Sequence, residues 1–178
     1  MARVSLRAIA GIAALMIIGL ALVAMRDVDW LLLKRSLRAR FHDVQWITTS
    51  ELGDWLVDRN RRAPVLVDVR TEAEWNVSHL PGARRVEPGA AAEAAFPRLD
   101  KAAPIVTYCA IGYRSAEFAT RLKAAGFSNV RNLEGSIFEW GNEHRPLVHD
   151  GQTVTKVHPY DRFWAHFVEP DVRASLSR

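Results

Sequence analysis

The stretch that most constrains this chain runs from Pro104 to Phe127, where a strand, a tight loop and a helix follow in direct succession. Ile105, Val106, Thr107 and Tyr108 are β-branched or aromatic, and Pro104 marks their start, which predicts a buried strand. Phe118, Ala119, Leu122 and Ala125 then recur at helical spacing, with Arg121 and Lys123 in the last turn and Gly126 as the stop. Between them lies Cys109-Ala-Ile-Gly-Tyr-Arg-Ser115, which holds the one cysteine of the 178-residue chain. A loop joining the C-terminal end of a parallel strand to a helix N-terminus is where open α/β sheets bind ligands. The first helical turn has N–H groups without intrahelical partners and a positive dipole end, and a curled loop adds inward-facing N–H groups. A thiolate is favoured in such a place. Gly112 lets the loop close, Arg114 adds a fork of donors for an anion, and Ser115 is the expected helix cap. A small apolar cysteine beside an exposed arginine is the plainer reading of the same residues. The coincidence of strand, Gly112, Arg114 and helix favours the reactive one.

The segments before and after this unit extend the α/β pattern. Trp46 and Ile47 open a short strand, Thr48 and Glu51 fit a capping box, and Leu52, Trp55 and Leu56 give a helical face reaching to about Asn60. Val65 to Val69 is apolar except at Asp68, which suits a strand covered on both faces. Asp68 at that strand's end reads as a hydrogen-bonded organiser, with general base as the alternative. Arg70 and Glu74 are four apart, close enough for a structural ion pair across one turn. His79 is the nearest candidate for acid–base work, yet before Leu80-Pro-Gly-Ala83 it reads better as a turn residue. Glu87-Pro-Gly89 is a turn, Ala90 to Phe96 a short helix, and Asn129 to Leu133 the last sheet strand. The histidines show no spacing that would join them to the cysteine as a zinc set.

Three segments in this order resemble the rhodanese-like domains. Cys109 to Arg114 matches that family's C-x-x-G-x-R loop at every fixed position. Val65 to Ala83 matches a strand ending in Asp-Val-Arg, an acidic residue before an aromatic, and a His-Leu-Pro-Gly-Ala turn, with Ser78 standing where glycine is common. Asn132 to Trp140 is similar to the closing Gly-x-x-x-Trp segment. The resemblance covers about residues 46–148 and implies an α/β fold, a five-stranded parallel sheet flanked by helices with the cysteine at its C-terminal edge. It implies sulfur transfer from a donor such as thiosulfate to a thiol or cyanide. Cys109 would be the nucleophile, Ala110, Ile111, Gly112, Tyr113 and Arg114 would bind substrate, and Asp68, Arg70, Glu74 and His79 would be structural neighbours. Partners would be a small sulfur-containing anion or a protein thiol, with no metal or organic cofactor required. Two other readings remain beside it. Phosphate-cradling cysteine loops also end in arginine, but with five residues between Cys and Arg where this chain has four. A non-catalytic binding or scaffolding module could use the same loop to hold an anion or a partner.

The N-terminus reads differently. Ala8 to Met25 is eighteen residues without a charge, close to the length of a membrane-spanning helix. Residues 1–26 are therefore expected to be an anchor, with a cleaved signal segment as the alternative. In 27–45, Trp30, Leu33, Leu37 and Phe41 share a helical face beside Lys34, Arg35, Arg38 and Arg40, the pattern of an interfacial amphipathic connector. Residues 1–45 carry seven Lys and Arg against three Asp and Glu, while 46–178 carry seventeen of each. The +4 net charge thus belongs to the N-terminal end and gives no cause to invoke nucleic acid. The excess of basic residues after the apolar stretch points to a single-pass protein with its domain on the cytoplasmic face, the periplasmic or extracytoplasmic face being the alternative. The tail, 149–178, carries Tyr160, Phe163, Trp164 and Phe167 at helical spacing, and aromatic surface of that size should be covered.

Overall fold

The computed structural model of the chain describes residues 25–176. Its centre is a five-stranded sheet, β1 (Gln45–Ile47), β2 (Val65–Asp68), β3 (Arg84–Arg85), β4 (Ile105–Tyr108) and β5 (Val130–Leu133). The strands lie in the order β1-β5-β4-β2-β3, and every neighbouring pair is parallel. β4 is central, and all four of its residues are buried. Period-two alternation divides the core between the two faces. Leu66, Val106, Tyr108 and Leu133 pack with helices α2 (Thr49–Val57) and α6 (Ser136–Asn142). Val67, Val69, Ile105, Cys109 and Val130 pack with α4 (Ala92–Ala95) and α5 (Tyr113–Ala124). The expected parallel α/β sheet is thus the one that forms, and it brings the ends of β2 and β4 to a common edge.

Local signals set the helix starts. Thr48 and Glu51 make the anticipated reciprocal capping box on α2. Thr71 and Glu74 make a second on α3 (Glu72–Trp75), which the sequence reading did not include. The start of α5 differs from expectation. Its cap is Gly112, with φ 108° and ψ −5° in the left-handed region that a side chain would disfavour, and Ser115 is buried inside the helix.

The connector helix is α1, described over 25–40. Its apolar face lies against the domain, with Leu37 buried in the floor of a pocket and Trp30 and Leu33 packed on the α2–α6 core. Three of its basic residues pair with acids of the domain and tail: Arg26 with Glu169 at 2.5 Å, Lys34 with Glu139 at 2.7 Å and Arg38 with Glu134 at 2.5 Å. The stripe of Trp30, Leu33 and Leu37 is therefore covered by protein. Among the described residues no helix is long and apolar enough to cross a membrane. This corrects the expected transmembrane helix and the single-pass, cytoplasm-facing location built on it. The stretch 8–25 that prompted the expectation lies, apart from Met25, outside the described residues.

The tail also joins the domain. A hairpin of β6 (Leu147–His149) and β7 (Gln152–Val154) leads to a 3-10 turn at Trp164–Phe167. Val157, Val168 and Val172 are buried in the α2–α6 core. Gly141 of α6 makes the close approach possible, since a Cβ there would lie 2.6 Å from Val157 and 3.2 Å from Val172. Phe167 meets Trp30 of α1 with ring centres 5.1 Å apart. The anticipated aromatic helix is thus one short turn, with Phe163 exposed.

Candidate active site

The chain leaves β4 at Tyr108, turns through Cys109 to Gly112, and enters α5. Hydrogen bonds from the loop itself, β5 and the start of α6 hold that turn. The Gly112 N–H donates to Cys109 Sγ at 3.1 Å. Asn132 Nδ2 on β5 donates to the Gly112 carbonyl at 2.8 Å, while its Oδ1 accepts from the Thr107 hydroxyl at 3.1 Å. From the start of α6, the Ile137 and Phe138 N–H groups donate to the carbonyls of Cys109 and Ala110, each at 3.2 Å. Ser136, just before them, has φ 51°, a conformation that costs a non-glycine residue about 1–3 kcal/mol and survives only when fixed by its surroundings. Its hydroxyl accepts from the Cys109 N–H at 3.2 Å and donates to the Leu133 carbonyl at 3.1 Å. Sequence reasoning missed Asn132 and Ser136 as loop supports. The polar residues among the apolar ones of the Asn132–Trp140 segment were the available signal.

Cys109 is 1% exposed, and it lies on a pocket of about 220 Å³. Ala110, Ile111, Tyr113 and Arg114 line the pocket with it. Gly112 shapes the loop instead of the wall. The rest of the lining comes from outside the loop: Leu33 and Leu37 of α1, and Tyr160 and Trp164 of the tail. The apolar stripes of both segments called for cover, but local sequence patterns did not say that they would meet at this pocket.

The charged residues near the loop are arranged differently from the expected Arg70–Glu74 ion pair. Arg70 and Asp68 are both fully buried and bind each other, with the Nε–Oδ1 contact at 2.9 Å and Nη2–Oδ2 at 2.6 Å. Arg70 also donates to the Ser78 carbonyl at 2.6 Å, which ties the β2 end to the turn before β3. Burial opposes the Arg70 charge, but the Asp68 carboxylate outweighs it and the guanidinium stays protonated. Glu74 instead takes Arg114, bidentate at 2.8 Å for both contacts. Burial pushes the Glu74 carboxyl up. The hydrogen bonds and charge of Arg114, with Arg70 and Thr71 behind them, pull harder and hold it below the usual carboxylate range. Arg114 is thus already paired, and its guanidinium lies 5.0 Å from the Tyr160 ring centre. The Ser78 backbone serves Arg70, while its own buried hydroxyl has no partner among the described residues. His79 stacks on Trp75 at 3.5 Å, and its backbone pairs with Val148 of β6. Burial lowers its pKa. It is not among the residues that line the pocket and lies in the turn before β3.

The rhodanese-like domain model matches residues 49–143. The chain belongs to the rhodanese-like domain family. Curated relatives of this rhodanese-like chain include the "Probable adenylyltransferase/sulfurtransferase MoeZ" of Mycobacterium tuberculosis, 37% identical over 101 residues, covering 56% of this chain and 25% of the relative. They also include the tRNA uridine(34) hydroxylase of Listeria welshimeri, 33% identical over 116 residues, covering 60% and 35%. The matches thus span about a quarter to a third of those relatives. Among solved structures, the rhodanese-like domain protein of Staphylococcus aureus is 26% identical with a TM-score of 0.50, over 64% of this chain and 99% of that one. The family match ends at 143, so the tail, and α1 at the other end, lie outside it while still walling the pocket.

Proposed function

We propose that this rhodanese-like protein is a sulfurtransferase that works through a persulfide on Cys109. The observation that carries the reading is the position of Cys109 Sγ, which takes the Gly112 N–H at the N-terminus of a twelve-residue helix and borders a pocket. The Cys109 thiolate attacks the outer, sulfane sulfur of a donor. The bond from that sulfur to the rest of the donor breaks, and its electron pair leaves with the departing group, sulfite in the case of thiosulfate. The persulfide stays on Cys109. A thiol or cyanide then attacks the outer sulfur, and Cys109 leaves as thiolate, which closes a ping-pong cycle. The N–H groups of Tyr113, Arg114 and Ser115 have no intrahelical partner in the first turn and, with Gly112, stabilise the charge on sulfur. Asp68, Arg70, Glu74 and His79 keep the edge of the sheet in place and take no part in bond making.

The pairing of Arg114 with Glu74 counts against phosphoryl transfer, in which the arginine fork must turn to a dianion. The names of curated relatives add family-level support for sulfur chemistry. The test is cyanide-dependent turnover of sulfane donors by the full chain. Replacement of Cys109 by serine abolishes the turnover, whereas activity retained in Cys109→Ser refutes the assignment.

A further inference from the structure

The loop supplies the nucleophile, but α1 and the tail also line the pocket. Leu33 and Leu37 come from the one, and Tyr160 and Trp164 from the other. Among the described residues lining it, Arg114 is the one charged side chain, and Glu74 already neutralises it through two 2.8 Å hydrogen bonds. A small inorganic dianion entering here would shed its water against aliphatic and aromatic walls without a free cation to replace it, a costly exchange. A donor with an organic group gains from the same walls. Room is sufficient: an apolar cavity of about 150 Å³ accepts benzene, and this one measures about 220 Å³.

We infer that the sulfur donor is an organic sulfane anion whose apolar group, about the size of a phenyl ring, packs between Leu33 of α1 and Trp164 of the tail while its terminal sulfur meets Cys109. This rests on the sulfur-transfer reading above and names the substrate class for that site. With a thiosulfonate, the Cys109 thiolate bonds to the terminal sulfur, the sulfur–sulfur bond of the donor breaks, and the sulfinate leaves with the electron pair. With an organic persulfide, the thiolate of the organic group leaves in the same way. Neither route requires an oxidant or reductant.

The test compares benzenethiosulfonate, methanethiosulfonate and thiosulfate as donors to the full chain, with cyanide as acceptor and intact mass to register the persulfide. Each kcat/KM is divided by the rate of the same donor with free cysteine, which removes intrinsic reactivity. The expected result is a preference of about tenfold or more for the phenyl over the methyl donor, the scale of burying an aromatic ring, with thiosulfate below both. Trp164→Ala and Leu33→Ala, on different elements, each reduce the phenyl-to-methyl ratio several-fold, chiefly through KM. If circular dichroism shows that both variants fail to fold, the wild-type donor series decides alone. Persulfide formation with equal use of the three donors, or a ratio unchanged in a folded variant, overturns the inference and leaves the sulfur-transfer reading standing. No persulfide from any donor overturns both.

Discussion

Replacing Asp68 by asparagine probes the part of the structure that places the loop without touching sulfur. Both Asp68 and Arg70 are fully buried, so solvent screening offers no discount. The carboxylate receives the Arg70 backbone N–H at 2.9 Å, Nε at 2.9 and 3.0 Å and Nη2 at 2.6 Å. Asparagine keeps the shape, removes the charge, and turns an NH2 toward a guanidinium that already consists of donors. Arg70 is then left as a buried cation that keeps one amide oxygen and the Ser78 and Glu74 carbonyls but has lost its carboxylate. Loss of one member of a buried pair costs about 3–5 kcal/mol, a large share of the roughly 5–15 kcal/mol that holds a domain together. For a chain of this size the melting temperature should fall by roughly 6–20 °C. Urea unfolding, followed by circular dichroism and tryptophan fluorescence, gives the free energy directly. The double variant Asp68→Asn/Arg70→Met removes the orphaned charge and should recover at least half of the loss. A cost below about 1 kcal/mol, the value of an exposed pair, or strict additivity in the double variant, would refute the reasoning.

Three further outcomes follow from the same geometry. Because the Glu74 carboxyl titrates below its ordinary range, its contribution to stability is complete above the unfolded-state pKa of about 4.3 and fades as pH falls through the lower folded value. Urea midpoints measured from pH 6 down to pH 3 should therefore drop more steeply in the wild type than in Glu74→Gln; parallel curves would contradict the assigned pair. Leu37→Ala, at a site 4% exposed, should cost about 2–5 kcal/mol, whereas Lys34→Ala, which breaks a partly exposed pair with Glu139, should cost at most about 1 kcal/mol. A negligible effect of Leu37→Ala in urea unfolding would mean that α1 does not hold to the domain. Gly112→Ala forces a side chain into φ 108° and shifts the N–H that points at sulfur, so sulfur transfer should fall by about 100-fold, the scale of losing one oxyanion-hole donor; unchanged kcat would exclude that role.

Much of the fold was legible because it rests on short-range chemistry. The β-branched run of β4, the capping box at Thr48 and Glu51, and the glycine-bearing cysteine loop each declare their local structure, and parallel pairing then follows from strands separated by helices. Asp68 could be read as an organiser because a lone carboxylate in an apolar strand has to be satisfied. The partners were less visible. Arg70 lies one helical turn from Glu74, yet it folds back on Asp68 two residues away, and Glu74 reaches forty residues on to Arg114. Local spacing ranks such pairings only when the helix is regular and exposed, and here both groups are buried. The face of α1 illustrates a second limit. Trp30, Leu33 and Leu37 form one apolar stripe whether lipid or protein covers it, and the tertiary contacts show protein. The same holds for Tyr160 and Trp164, whose place over the cysteine depends on Gly141 admitting Val157 and Val172 against α6.

Sulfur transfer as proposed requires Cys109 to carry one sulfur atom between a donor and an acceptor. Intact mass spectrometry of the full chain before and after a sulfane donor, with peptide mapping of the modified residue, reads that step out. The expected result is a gain of one sulfur atom on Cys109 that cyanide or a dithiol removes. A folded protein with a titratable thiol that gains no sulfur from thiosulfate, methanethiosulfonate or benzenethiosulfonate would contradict it.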